Sequence, residues 1–143
     1  MSVRSLDCLF KPESLALVGA SARAGSLGAA VLANLRKGGF KGTIHLVNPR
    51  HSEIDGLPCV KRLSDLKQPI DLVVIASPRE TVVDLVREAA RCGVKTAIVI
   101  TADPQHGEGS LAQRLADVAH ETGIRIVGPN CLGVLAPRVG LDA

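Results

Sequence analysis

The sequence predicts a single α/β domain spanning residues 1–143, a Rossmann-like, doubly wound parallel sheet with helices on both faces. Three observations carry that expectation. Short apolar runs alternate with amphipathic stretches of helical length. The runs LALVGA, LVVIA and KTAIVIT are almost continuously apolar, as strands are when both sheet faces are covered. The glycine-, proline- and serine-containing loops of interest each follow a strand, at residues 19–28, 48–51, 77–78, 101–109 and 128–133, so they gather along one edge of the sheet. At 143 residues, 46% hydrophobic and 22% charged, the chain suffices for one ordinary core.

Each element follows from local pattern. Residues 15–20 read as the first strand. Residues 26–36 place Leu27, Val31, Leu32 and Leu35 on one helical stripe, and Gly38-Gly39 closes it, since glycine takes the left-handed backbone of a helix end without strain. Residues 43–48 form the second strand. Gly56 and Pro58 break the stretch 51–66, leaving Cys59-Val60 as a small extension. Residues 71–77 form the third strand and run into Ser77-Pro78-Arg79-Glu80. There Ser77 is expected to cap a helix, with Pro78 in its first position and Glu80 completing a capping box. Val82, Val83, Leu85, Val86, Ala89 and Ala90 continue that helix towards Gly93. Residues 95–101 are the fourth strand and 102–109 a loop. Ser110 and Gln113 form a second capping box, opening a helix to about residue 121 with Gly123 behind it. Residues 125–128 are the fifth strand, and 134–137 a last short one. Parallel strands joined this way take right-handed crossovers.

Composition excludes several functions. Two Phe and no Tyr or Trp leave no aromatic platform for stacking bases. With no run of like charges, a net charge of +3 gives no nucleic-acid tail. No apolar stretch approaches 18 residues, so no membrane span is expected. The first residues, MSVRSLDCLFKPES, lack the apolar centre of a signal peptide, and the expected location is cytoplasmic. Cys8, Cys59, Cys92 and Cys131 are widely spaced and read as free thiols. His45, His51, His106 and His120 show no metal-ligand spacing. No catalytic residue and no metal site are assigned.

The turn after the first strand is built to hold phosphate. Gly19-Ala20-Ser21 leads to Gly25 and Gly28 at the start of a helix, whose unpaired N–H groups and dipole favour an anion. The spacing departs from the G-x-G-x-x-G of dinucleotide sites, and no Gly-Lys-Ser/Thr follows to make a P-loop. An NAD site wants an acidic residue after the second strand; this chain has Asn48-Pro49-Arg50. A neutral residue followed by arginine suits a phosphorylated ribose. That leaves two ligands, NADP with its 2′-phosphate and coenzyme A with its 3′-phosphate.

Four motifs in order, GAS, VNP, an IASP loop and GPNCLG, resemble those of the N-terminal CoA-binding domain of NDP-forming acyl-CoA synthetases, related to the alpha subunit of succinyl-CoA synthetase. The resemblance covers about residues 6–143, and GPNCLGVLAP with the terminal GLDA is its most specific part. NLRKGGFKG and the ending also look like the version of this domain fused to GNAT-type protein lysine acetyltransferases. The resemblance implies CoA or acyl-CoA as ligand. It would place Gly19, Ala20, Ser21, Gly25 and Gly28 around the diphosphate, and Asn48, Pro49 and Arg50 at the adenosine and 3′-phosphate. Ala76, Ser77 and Pro78 would line the nucleotide or pantetheine wall. Thr101, Ala102, Pro129 and Asn130 would border the thiol end. It further implies C-terminal domains as partners and a domain that performs no acyl transfer alone; self-association is left open. One loop departs. In the synthetases the fourth strand is followed by Gly-Phe and then a glutamate, where this chain has TADPQHGEG. That departure favours the acetyltransferase-fused members.

Overall fold

The computed structural model describes residues 4–143. Seven strands form one sheet: β1 (Ser14–Val18), β2 (Thr43–Val47), β3 (Glu53–Ile54), β4 (Leu57–Val60), β5 (Leu72–Ile75), β6 (Thr96–Val99) and β7 (Arg125–Val127). Their order across the sheet is β3-β4-β2-β1-β5-β6-β7. All neighbours are parallel except the antiparallel β3–β4 pair. The helices are α1 (Arg4–Phe10), α2 (Leu27–Lys37), α3 (Arg79–Arg91) and α4 (Leu111–Thr122). A small antiparallel pair, β8 (Leu135–Ala136) and β9 (Leu141–Asp142), ends the chain.

Alternate residues of each strand face opposite layers. Leu15, Leu17, Leu72, Val74 and Ile98 pack with Leu9 of α1, Val31, Leu32 and Leu35 of α2, and Leu141. Ala16, Val18, Val73, Ile75, Ala97 and Val99 pack with Val82, Val83, Val86 and Ala89 of α3 and Leu115 and Val118 of α4. Both faces are covered, as the continuous apolar runs require. The predicted fold class is therefore the observed one.

Three details differ from expectation. The first strand stops at Val18, because Gly19 turns out of the sheet with φ +87°. A short helix, α1, lies where no element was expected; the Thr96 hydroxyl donates to Ser5 O at 3.1 Å and ties it to β6. Ser77 does not cap α3. Pro78 occupies the cap position without a side-chain bond, while the Ser77 carbonyl accepts from the Thr101 hydroxyl at 2.7 Å. Ser26 and Ser110 do cap their helices, accepting from Ala29 N and Gln113 N at 3.3 Å each. Among the described residues no helix is long and apolar enough to cross a membrane.

Candidate ligand-binding site

In this strand order the chain leaves β1 towards one side and β5 towards the other. The gap at their C-terminal ends is the switch point where open α/β sheets take ligands. Gly19 stands at one lip and Ala76 at the other. A Cβ added to Gly19 would collide with the Ala76 carbonyl and lie 2.9 Å from Ser77 Oγ. One added to Gly28 would collide with the Gly19 carbonyl oxygen and lie 3.2 Å from Ala20 Cα. These two glycines let α2 sit against the end of β1, and β1 against the end of β5.

A cleft of about 1280 Å³ opens from this turn. It takes in Gly19, Ser21, Gly28, Asn48, Pro49, Arg50, Ala76, Ser77 and Pro78, so nine of the residues singled out in the sequence meet around one space. Ala20 is buried behind the lining, and its carbonyl accepts from Asn48 Nδ2 at 2.8 Å. Asn48 Oδ1 in turn accepts from Arg50 N at 2.8 Å. The Asn48 amide thus ties the glycine turn to the loop after β2. Ser21 Oγ accepts from Arg23 N at 3.0 Å, which leaves its O–H free to donate into the cleft. At the start of α2, Ser26 takes the Ala29 N–H through Oγ and the Ala30 N–H through its carbonyl. The N–H groups of Leu27 and Gly28 precede any intrahelical acceptor. Gly25, φ +78°, lies in the turn with open space around it.

Thr101, Ala102, Pro129 and Asn130 form a second group that does not line this cleft. Thr101 is buried and joins it to the lip through Ser77, and Asn130 N donates to Thr101 O at 3.0 Å. Beside them the Asp103-Pro104 loop has a structural task. Asp103 is buried, pairs with Arg79 Nε at 2.8 Å, and accepts from Gln105 N at 3.1 Å and Leu111 N at 2.6 Å. Burial pushes its carboxyl up. The two N–H groups and the guanidinium outweigh that, and hold it below the ordinary carboxylate value.

Sequence reading missed much of the wall. Thr81, Asp84, Leu85 and Glu88 of α3 line the cleft, followed by Arg91 and Cys92. Their spacing is that of one helix face, which in sequence looks like a solvated surface. Arg23, Lys61 and Arg62 also line it. With Arg50 and Arg91 they give five cations against the carboxylates of Asp84 and Glu88, a balance that attracts anions. Among the described residues no group of three or more metal-ligating side chains converges.

Comparison with known proteins gives one answer in sequence and in structure. The family described as "CoA binding domain" matches residues 13–137. The ADP-forming acetate–CoA ligase of Methanocaldococcus jannaschii is 38% identical over 133 residues, covering 92% of this chain and 19% of the ligase. A trans-feruloyl-CoA synthase from an unknown prokaryotic organism is 40% identical over 135 residues, again covering 92% of this chain and 19% of its own length. Among solved structures, the dinucleotide-forming acetyl-coenzyme A synthetase 1 of Ca. Korarchaeum cryptofilum, in complex with phosphate and ADP, superposes with a TM-score of 0.89 at 36% identity. The match covers 96% of this chain and 30% of that one.

Proposed function

The chain belongs to the CoA-binding domain family, and from that premise we propose that its cleft binds coenzyme A or an acyl-CoA through the glycine turn. The observation that carries the reading is the meeting of Gly19, Ser21 and Gly28 with Asn48–Arg50 and Ala76–Pro78 around one cation-rimmed space at the switch point. The diphosphate accepts from the Leu27 and Gly28 N–H groups and the Ser21 hydroxyl, where the helix dipole adds about 0.3–1 kcal/mol. The adenosine lies towards Asn48-Pro49, with the 3′-phosphate near Arg50. Ala76, Ser77 and Pro78 line the path of the pantetheine. The thiol end points towards Thr101, Ala102, Pro129 and Asn130.

These residues bind and orient; none is paired as nucleophile and base, so acyl transfer belongs to other domains of a larger cytoplasmic protein. The two curated relatives named above are a CoA ligase and a CoA synthase of which this chain spans 19% each, which supports an ADP-forming acyl-CoA synthetase-like parent. A GNAT-fused lysine acetyltransferase regulated by CoA is the second reading. The loop with Asp103-Pro104 in place of Gly-Phe favours it.

Titration calorimetry of the chain with CoA, dephospho-CoA and NADPH tests the ligand. CoA is expected to bind more tightly than dephospho-CoA, and NADPH to bind weakly. NADPH binding with indifference to CoA would overturn the reading and favour an NADP-dependent oxidoreductase domain.

A further inference from the structure

The geometry points to Lys61 and Arg62 as the residues that, with Arg50, read the ribose phosphomonoester of the bound coenzyme. This rests on the coenzyme reading above and deepens it. β2 and β4 are parallel neighbours with Val47 opposite Val60, and Asn48 N donates to Val60 O at 2.9 Å. The chain therefore leaves both strands side by side, delivering Arg50 from one and Lys61-Arg62 from the other to the same cleft. Arg36, Arg79 and Arg87 each pair with a carboxylate. Arg50, Lys61 and Arg62 form no ion pair among the described residues. Three unpaired cations on adjacent strand ends repel one another and suit a dianion.

The backbone that carries them is pinned. Arg62 N donates to Asp65 Oδ2 at 3.1 Å, and Ser64 N to Glu88 Oε1 at 3.0 Å, which fastens this segment to α3. Position selects the phosphate. The glycine turn ends β1, and β4 lies two strands away in the order β4-β2-β1, roughly 9–10 Å at the usual strand spacing. A diphosphate held at the turn leaves this second site to a group across the ribose. A phosphomonoester carries about −1.5 to −2 charges at neutral pH. Arg50 alone leaves that charge unbalanced, and the three cations together cover it.

The test is calorimetry of the full chain with CoA and dephospho-CoA. Lys61→Ala/Arg62→Ala is expected to weaken CoA binding about tenfold and dephospho-CoA binding less than twofold, as fits two exposed charge pairs. Lys37→Ala/Lys41→Ala removes the same charge away from the cleft and is expected to leave both affinities unchanged. Lys61→Arg/Arg62→Lys is expected to restore the preference. All substituted side chains are exposed, and circular dichroism checks folding. A CoA preference that survives the double substitution, or an equal loss for both ligands, would overturn this inference alone. Binding of neither ligand to the unaltered chain would refute the coenzyme reading, and this inference with it.

Discussion

Replacing Gly28 with alanine sets two opposed effects against each other, and their sizes decide the sign. Gly28 lies in the first turn of α2, where alanine gains at most about 1 kcal/mol of helix propensity. The added methyl meets backbone. It would overlap the Gly19 carbonyl oxygen and stand 3.0 Å from the carbonyl carbon and 3.2 Å from Ala20 Cα. No side chain can swing aside, so α2 must move off the end of β1. Overpacking costs about 1–3 kcal/mol; a clash with backbone falls in the upper half of that range, about 2–3 kcal/mol, and a net loss of about 1–2 kcal/mol remains. At about 2.1 cal/mol/K per residue, 143 residues give an unfolding entropy of roughly 0.3 kcal/mol/K. The expected fall in Tm is therefore roughly 3–7 °C, read by differential scanning calorimetry. CoA affinity is expected to fall as well, because the displaced turn carries the Leu27 and Gly28 N–H groups. Gly25→Ala is the control: open space surrounds Gly25, so only its positive φ is strained, at about 1–2 kcal/mol. A Gly28→Ala protein as stable as the parent, with unchanged ligand affinity, would refute the close-packing argument.

Three further outcomes are expected. Asn48→Asp removes the donor to the Ala20 carbonyl and brings a negative charge to the phosphate site; stability is expected to fall by about 1 kcal/mol in urea titration, and CoA affinity to fall with it. Asp103→Asn tests the buried pair with Arg79. The folded carboxyl titrates below its unfolded value, so its contribution is present above about pH 4 and is lost as pH falls through the folded pKa. The urea midpoint of Asp103→Asn is expected below the parent's at pH 7, the gap narrowing as pH falls through the folded pKa; a gap independent of pH would refute the pairing. The Cys92 thiol is pushed above its ordinary value by burial and by Glu88, with Arg91 in partial opposition. Its alkylation is therefore expected to be slow at pH 7 and faster at alkaline pH, and to slow further with CoA in the cleft. Mass spectrometry locates the adduct, and modification of Cys92 indifferent to CoA would place the ligand elsewhere.

The sheet was legible in sequence because its strands are buried on both faces, and burial leaves an apolar run that needs no partner to be recognised. The glycine turn was legible because left-handed backbone and close approach both demand glycine. What escaped depends on contacts between distant residues. In α1, Leu9 is buried but Phe10 is 46% exposed, so no apolar stripe marks it; its place is set by Thr96 on β6. Ser77 lost its expected cap because its carbonyl is taken by Thr101, 24 residues on. The α3 wall of the cleft is polar and surface-like, and only the packing of α3 beside the 61–64 segment turns that face into part of a site. Leu27 was assigned to the core stripe of α2, yet it is 45% exposed and lines the cleft. The helical period put it on the right face, but it sits beyond the end of the sheet that would have covered it.

Asn48 joins the sequence departure to the chemistry. Where dinucleotide sites place a carboxylate to accept from ribose hydroxyls, this chain needs a residue that donates and accepts at once, since its amide bonds both the Ala20 carbonyl and the Arg50 N–H. A carboxylate accepts only. It would release Ala20, and with it the fixed distance between the glycine turn and the loop that carries Arg50. In the proposed coenzyme complex it would also repel the phosphomonoester beside Arg50, Lys61 and Arg62. If the cleft holds the proposed coenzyme, neutrality at position 48 and the cluster of cations beyond it serve one requirement: a ligand anionic at both ends of its ribose must find donors at both. A coenzyme with free ribose hydroxyls would gain nothing from either.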